Sequence, residues 1–213
     1  MRRPLVKSKG FTLIEVLIVL ALILTLALVL LPALARPRMR SSRINCTNHM
    51  KQIGLAFKTW AIDNNDLYPM EVSVTRGGAM EALATNLPLV FQVMSNELST
   101  PKILVCPADS KRVNASDFAN LKRANISYFV GMDATDTNPA CILSGDRNIT
   151  NGMGVRARIL YVTTNDPAGW SPGPHNLFGN LLLSDGSVRQ DSTARMREAI
   201  ANTGFPTNRF LMP

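Results

Sequence analysis

The feature that most constrains this chain is a run of 21 residues, Phe11 to Leu31, that is apolar except for Thr12, Glu15 and Thr25. In a helix such a run spans about 31 Å, the thickness of a bilayer's hydrocarbon core. A core helix of that length in a water-soluble domain carries a polar stripe, and this run has none. It reads as a membrane segment. What needs explaining is a carboxylate just inside its start, directly after a basic stretch and Gly10.

Three readings compete. The first is a cleaved secretory signal: Ala33 to Ala35 (ALA) has the A-x-A form of a cleavage site, and the leading residues are basic. Against it, the run exceeds the usual length of a signal's apolar region, and Glu15 falls where that region is purely apolar. The second is a plain anchor, which leaves Glu15 unexplained although an ionisable residue in a membrane segment is costly and points to function. In the third, a peptidase cuts after Gly10 and Phe11 becomes a new N-terminus with a positive amine. Glu15 then lies one helical turn away on the same face. In a bundle of such helices each Glu15 meets the Phe11 amine of a neighbour, because an unpaired carboxylate is strongly disfavoured in lipid or a packed helix core. The carboxylate sets the axial stagger between subunits. Gly10 fits as well, since a cleavage pocket that grips the backbone favours no side chain there.

The stretch KGFTLIEVLIVLALI, residues 9–23, resembles the N-terminus of type IV prepilins and type II secretion pseudopilins. The resemblance rests on Gly10, Phe11, Thr12, Leu13, Ile14 and Glu15, together with the basic leader and the apolar run, and covers about the first fifth of the chain. It implies that a prepilin peptidase at the inner membrane cuts after Gly10 and methylates the Phe11 amine. It also implies partners: other copies or pilin-like subunits in a filament, and an inner-membrane assembly platform. Lys and Arg flank both ends of the run, with Arg36, Arg38, Arg40 and Arg43 on the far side, so charge counting is neutral on orientation. The fit of the leader to a cytoplasmic-face peptidase puts the head outside the cytoplasm on a single-pass anchor.

The rest of the chain bounds what else it does. Its 213 residues suit one domain plus a tail. Half of the +8 net charge comes from Arg2, Arg3, Lys7 and Lys9. The remainder has no dense basic face interleaved with aromatics, so nucleic acid is not an expected partner. Beyond the run, Pro32 and Pro37 interrupt the helix pattern. Either one kinked helix continues, as the resemblance implies, or two helices meet at a proline hinge. Ile44, Met50, Ile53, Phe57 and Trp60 recur at helical spacing with Arg43, Asn48, Lys51, Lys58 and Asp63 between them, which predicts an amphipathic helix ending near Asp63–Asp66 (DNND). The expected organisation is a leader at 1–10, a transmembrane and assembly helix at 11–31, an amphipathic continuation at 32–64 and a globular head at 65–213. The fold class is α+β, with the long helix packed on a small antiparallel sheet.

In the head, a helix is expected over Leu87–Ser95 and strands over Lys102–Asp109, Asn125–Asp133, Cys141–Asn148 and Ala157–Thr163. Asp185-Gly186, between NLLLS and SVRQ, marks a tight hairpin, because Gly tolerates the positive φ such turns need. A last helix over Ser192–Thr203 stops at Gly204. His175, nine residues and then Asp185-Gly186 resembles the H-x9-D-G signature of a bacterial subgroup of pilin-like proteins. CTNHMKQIGLAFKTWAIDNNDLYP and ILVCPAD resemble the same subgroup.

Chemistry is sparse. A His175–Asp185 pair with Ser184 or Ser187 is the closest approach to a hydrolase, but Asp185 sits where a turn uses its carboxylate to cap the backbone. His175 precedes a strand and is expected to bond across the hairpin or to a neighbouring subunit. His175, Asp185 and Gly186 are therefore read as structural or interface residues. No zinc spacing, phosphate loop or nucleophile elbow appears, and no cofactor or metal is expected. Asp133, Asp136 and Asp146 offer oxygen ligands for calcium without EF-hand-like spacing. Cys46 and Cys106 are a candidate disulfide joining helix to sheet, with Cys141 left over; three buried free cysteines fit equally well. The chain is thus read as a non-catalytic filament subunit. The alternative is an anchored or exported binding protein that uses a prepilin-type signal without polymerising.

Overall fold

A computed structural model of the chain describes residues 12–83, 85–154 and 158–213. The leader, Gly10 and Phe11 lie outside these residues, as does Ala157. The chain forms two compact units, one up to Ser41 and one from Ser42 to Pro213.

Helix α1 (Leu13–Asp63) is the dominant element, and its helical backbone is kept through Pro32 and Pro37. Of the two layouts left open by the sequence, the backbone adopts the single helix. Within the first unit, Leu13–Leu30 is long and apolar enough to cross a membrane, and none of it is buried inside the protein.

The second unit is an α+β head. Its strands are β1 (Tyr128–Gly131), β2 (Ile142–Asp146), β3 (Ile149–Thr150), β4 (Ile159–Val162), β5 (Gly169–Trp170), β6 (Gly179–Leu183), β7 (Val188–Asp191) and β8 (Asn208–Leu211). Its other helices are α2 (Leu87–Gln92), α3 (Ser95–Leu98) and α4 (Thr193–Asn202). Six strands form one antiparallel sheet in the order β4-β8-β1-β2-β6-β7, and β3 pairs with β5 separately. A long N-terminal helix with an antiparallel sheet is the pilin-like α+β arrangement expected from the sequence.

Both faces of the sheet are covered, which explains strands that read as unbroken apolar runs. Along each strand alternate side chains point to opposite faces. Tyr128, Val130, Leu182 and Leu211 join Met50, Ile53, Phe57 and Trp60 of α1 in one core. Phe129, Leu160, Val162, Leu181, Leu183 and Phe210 form the other core with Met196, Ala199 and Ile200 of α4. The apolar stripe of α1 begins at Cys46, which is fully buried, whereas Ile44 is 54% exposed and lies outside it. Gly54 lets α1 approach the sheet: a Cβ there would stand 2.7 Å from Leu182 Cδ1.

The β6–β7 hairpin forms around Asp185-Gly186, with Gly186 at φ 84°. The Asp185 carboxylate accepts from Ser187 N at 2.8 Å, the capping role expected of it. Two expectations fail. The segment Lys102–Asp109 is no strand: Pro101–Leu104 is a 3-10 turn, capped by Thr100 Oγ1 on Lys102 N. Its apolar residues Ile103, Leu104, Val105 and Cys106 are all buried as a core-filling loop, so their run carries no strand period. The helix expected over Leu87–Ser95 is two short helices, α2 and α3.

Phe57 is fully buried and meets both Tyr68 and Phe91 edge-on. Phe57→Ala is expected to cost about 3–5 kcal/mol. Leu55→Ala, on the exposed side of the same helix, is expected to change stability by about 0.5 kcal/mol or less. Denaturant unfolding of the detergent-solubilised chain, followed by tryptophan fluorescence, distinguishes the two.

Candidate functional site

Two places concentrate chemistry: the start of α1, and a buried polar cluster in the head.

At the start of α1, the Glu15 carboxylate accepts from Thr12 N and from Thr12 Oγ1, each at 2.9 Å and each through Oε2. Glu15 N returns a longer bond to Thr12 Oγ1 at 3.4 Å. This reciprocal pair is a capping box, which satisfies amide donors that a helix start leaves free. Sequence reasoning assigned Glu15 a role between subunits and overlooked this role within the chain. The T-x-x-E pattern from Thr12 to Glu15 was the available signal. An acid in the first turn also complements the positive end of the helix dipole.

In the head, Cys46 of α1 and Cys106 of the loop after the 3-10 turn form a disulfide with Cα atoms 5.1 Å apart. Closing 60 residues of chain restricts the unfolded state and contributes about 4 kcal/mol to stability. The loop is also held independently: Val105 O lies 3.1 Å from His49 Nδ1, and Leu104 O accepts from Ser127 N at 2.8 Å. Cys141 is buried and free.

His175 packs against this disulfide. Its Nε2 is 3.4 Å from Cys106 Sγ and 3.5 Å from Asp146 Oδ2. The ring is 1% exposed, so His175 is an interior residue and not one presented to a neighbouring subunit. The carboxylate it meets is Asp146, at the end of β2, rather than Asp185. No hydrogen bond joins His175 to Ser184, Ser187 or Asp185 among the described residues, so the imagined hydrolase set is not assembled. Asp133, Asp136 and Asp146 do not converge either. Asp133 pairs with Arg209, Asp136 with Lys58 and Tyr68, and Asp146 with Asn180 and His175.

The sequence offered Asp146 only as an oxygen ligand beside Asp133 and Asp136 and did not place it with His175. Its Oδ2 accepts from Asn180 N at 2.6 Å and from Asn180 Nδ2 at 2.9 Å. Burial pushes its carboxyl up to about 7, against the lowering effect of the Asn180 bonds. Burial pushes the His175 imidazole down, and the Arg43 charge adds to this. Tyr128, whose hydroxyl is buried nearby, is raised well above the ordinary phenol range by burial and by Asp146 and Asp109. The signal available in the sequence was a carboxylate closing the strand-like segment Cys141–Asp146 (CILSGD).

Asp109 anchors its edge. Arg147 binds it in fork geometry, Nε to Oδ2 at 2.6 Å and Nη2 to Oδ1 at 2.8 Å, and Ser127 Oγ donates to Oδ2 at 3.1 Å. Burial alone would raise this carboxyl, but Arg147, with Lys111 N and Ser127, holds it below the ordinary aspartate range. Beside the pair opens a polar recess of about 310 Å³ lined by Asp109, Lys111, Arg147, Asn148, Ser171 and Gly173, among others.

Comparison with known proteins bears on the N-terminal segment. Residues 5–31 match the family model described as the prokaryotic N-terminal methylation motif. This is a prepilin-type signal, and with Leu13–Leu30, the one helix among the described residues long and apolar enough to cross a membrane, it fits a membrane-anchored, single-pass protein. No curated protein and no solved structure matches the chain.

Because the Asp109 carboxyl is held low in the fold, its stabilising effect is full above roughly pH 4 and is lost as pH falls through its lowered folded value. Asp109→Asn is expected to cost about 1–3 kcal/mol at neutral pH. The gap from the parent chain should shrink towards pH 3, and thermal unfolding at the two pH values measures it.

Proposed function

We propose that this chain is a structural subunit of a type IV pilus or type II secretion pseudopilus-like filament, and that it catalyses no reaction. The observation that carries the reading is the coincidence of the N-terminal methylation motif at residues 5–31 with an unburied apolar helix whose one carboxylate is Glu15. In this reading a prepilin peptidase removes residues 1–10 after Gly10 and methylates the Phe11 amine. Residues 11–31 hold the subunit in the inner membrane until an assembly platform packs them against copies of the same segment or of related subunits. Residues 32–64 carry the helix onto the head at 65–213.

Glu15 has two alternative partners in this scheme. In the single chain its carboxylate caps its own helix through Thr12. In the filament it takes the Phe11 amine of a neighbour, a charge pair that only one axial stagger provides. The pairing is favoured because an isolated carboxylate is costly in an apolar bundle. The Cys46–Cys106 disulfide supports a head outside the cytoplasm, since disulfides persist in oxidising compartments.

The polar recess beside Asp109 and Arg147 favours a second reading, in which the processed chain stays an anchored binding protein and does not polymerise. Filament recovery separates the two. Glu15→Ala is expected to leave processing intact and to lower the yield of sheared filaments roughly tenfold or more, as loss of a buried charge partner requires. Normal filament yield from the variant contradicts the register role of Glu15. Absence of filaments from the processed parent chain favours the binding protein.

A further inference from the structure

We propose that Cys46, Cys106 and His175, with Asp146 as fourth ligand, form a metal site for a zinc-class divalent cation when the Cys46–Cys106 disulfide is reduced. This inference concerns the head alone and does not depend on the filament reading.

The geometry is the first argument. The two sulfurs and the ring nitrogen lie within 4.8 Å of one another. His175 Nε2 stands 3.4 Å from Cys106 Sγ and 3.5 Å from Asp146 Oδ2. With metal–sulfur bonds of about 2.3 Å and metal–nitrogen bonds of about 2.0 Å, the edges of a tetrahedral zinc site run to about 3.3–3.8 Å. Both spacings from His175 Nε2 are of that size. The edge between the sulfurs is covalent, and Asp146 lies outside the group whose donor atoms all fall within 4.8 Å of one another; cleaving the disulfide frees the sulfurs to separate and to approach it.

The donor set is the second argument. Two thiolates and an imidazole select zinc or a similar borderline-soft ion over calcium or magnesium. All four residues are 1% exposed or less. His175 Nδ1 and Asp146 Oδ1 are buried without any hydrogen-bond partner. The atoms nearest the other donors are His175 Nε2 and Asp146 Oδ2, and these are the ligand atoms. Asn180 already fixes the Asp146 carboxylate through two bonds, the outer support that metal-ligating carboxylates use.

The scaffold is the third. Cys46 sits on α1, Asp146 ends β2, and the Cys106 loop is held by His49 and Ser127 as well as by the disulfide. Reduction therefore leaves the ligands on elements with anchors of their own. The ligands are far apart in sequence, at 46, 106, 146 and 175, so no spacing motif announces them.

The chemistry balances. An external dithiol supplies two electrons and two protons and closes to its own disulfide, while the Cys46–Cys106 sulfur–sulfur bond breaks to give two thiols. The cation then displaces both thiol protons and is bound by two thiolates, the imidazole and the carboxylate. Disulfide and metal use the same sulfurs, so the oxidised and metal-bound states exclude each other.

The test uses the full chain in detergent micelles, kept without oxygen. A water-soluble phosphine reduces the disulfide and leaves as its oxide, and Co²⁺ is then titrated in. The expected result is one Co²⁺ per chain, with thiolate-to-cobalt charge-transfer bands and the visible bands of a tetrahedral site, all displaced by Zn²⁺. The unreduced chain shows none of these. His175→Ala is expected to weaken binding about tenfold or more, while Cys141→Ser leaves it unchanged. X-ray absorption of the reduced parent with Zn²⁺ gives a check free of any substitution: two sulfur scatterers and an imidazole are expected. The proposal is overturned if the reduced chain binds no tetrahedral Co²⁺, if binding follows Cys141 instead of His175, or if the zinc shell lacks paired sulfurs. Should reduction unfold the head, refolding on Zn²⁺ addition, seen by circular dichroism, supports the site, and failure to refold contradicts it.

Discussion

Contact between α1 and the sheet is what the head depends on. Met50, Ile53, Phe57 and Trp60 fill one face of the sheet, and Gly54 provides the clearance against Leu182. The disulfide at Cys46 pins the start of that stripe to the loop at Cys106. The same helix carries Leu13–Leu30, for which the chain offers no burial. An apolar surface of that length is satisfied by lipid tails or by other helices, and water satisfies neither it nor its exposed side chains. The proposed filament role would meet that demand in both states, with lipid before assembly and like helices after it.

Much of this was legible in the sequence, for reasons that differ by element. Length and unbroken apolarity gave the first half of α1, and spacing of 3 and 4 gave the second, because a helix with one buried face leaves that period. Ile44 fits the period yet is exposed, since the core it would join begins at Cys46 on another side of the helix. The hairpin at Asp185-Gly186 was legible because its turn requires a positive φ at one residue. The loop through Ile103–Cys106 was misread because burial in a loop produces the same apolar run as a short strand. β8 was missed: Asn208–Leu211 is four residues long and gains its partners, β1 and β4, only from the tertiary fold.

The candidate site divides in the same way. The residues around Glu15 are local in sequence, so both the motif and the capping box are readable there. The cluster around His175 is assembled from four distant segments, and composition alone does not bring them together. It brings together a disulfide, an imidazole, two carboxylates and the phenol of Tyr128, all of them buried residues. Burial holds Asp146 and His175 towards their neutral forms, while Asp109 keeps its charge because Arg147 meets it in fork geometry.

The central claim is that the chain is handled as a prepilin. The most direct measurement is the intact mass and N-terminal residue of the protein isolated from its native host. The account predicts a chain that begins at Phe11 and is heavier by one methyl group. A chain that begins at Arg36 would show that Ala33–Ala35 was the cleavage signal, and one that retains Met1 would leave a plain anchor; either result contradicts the account.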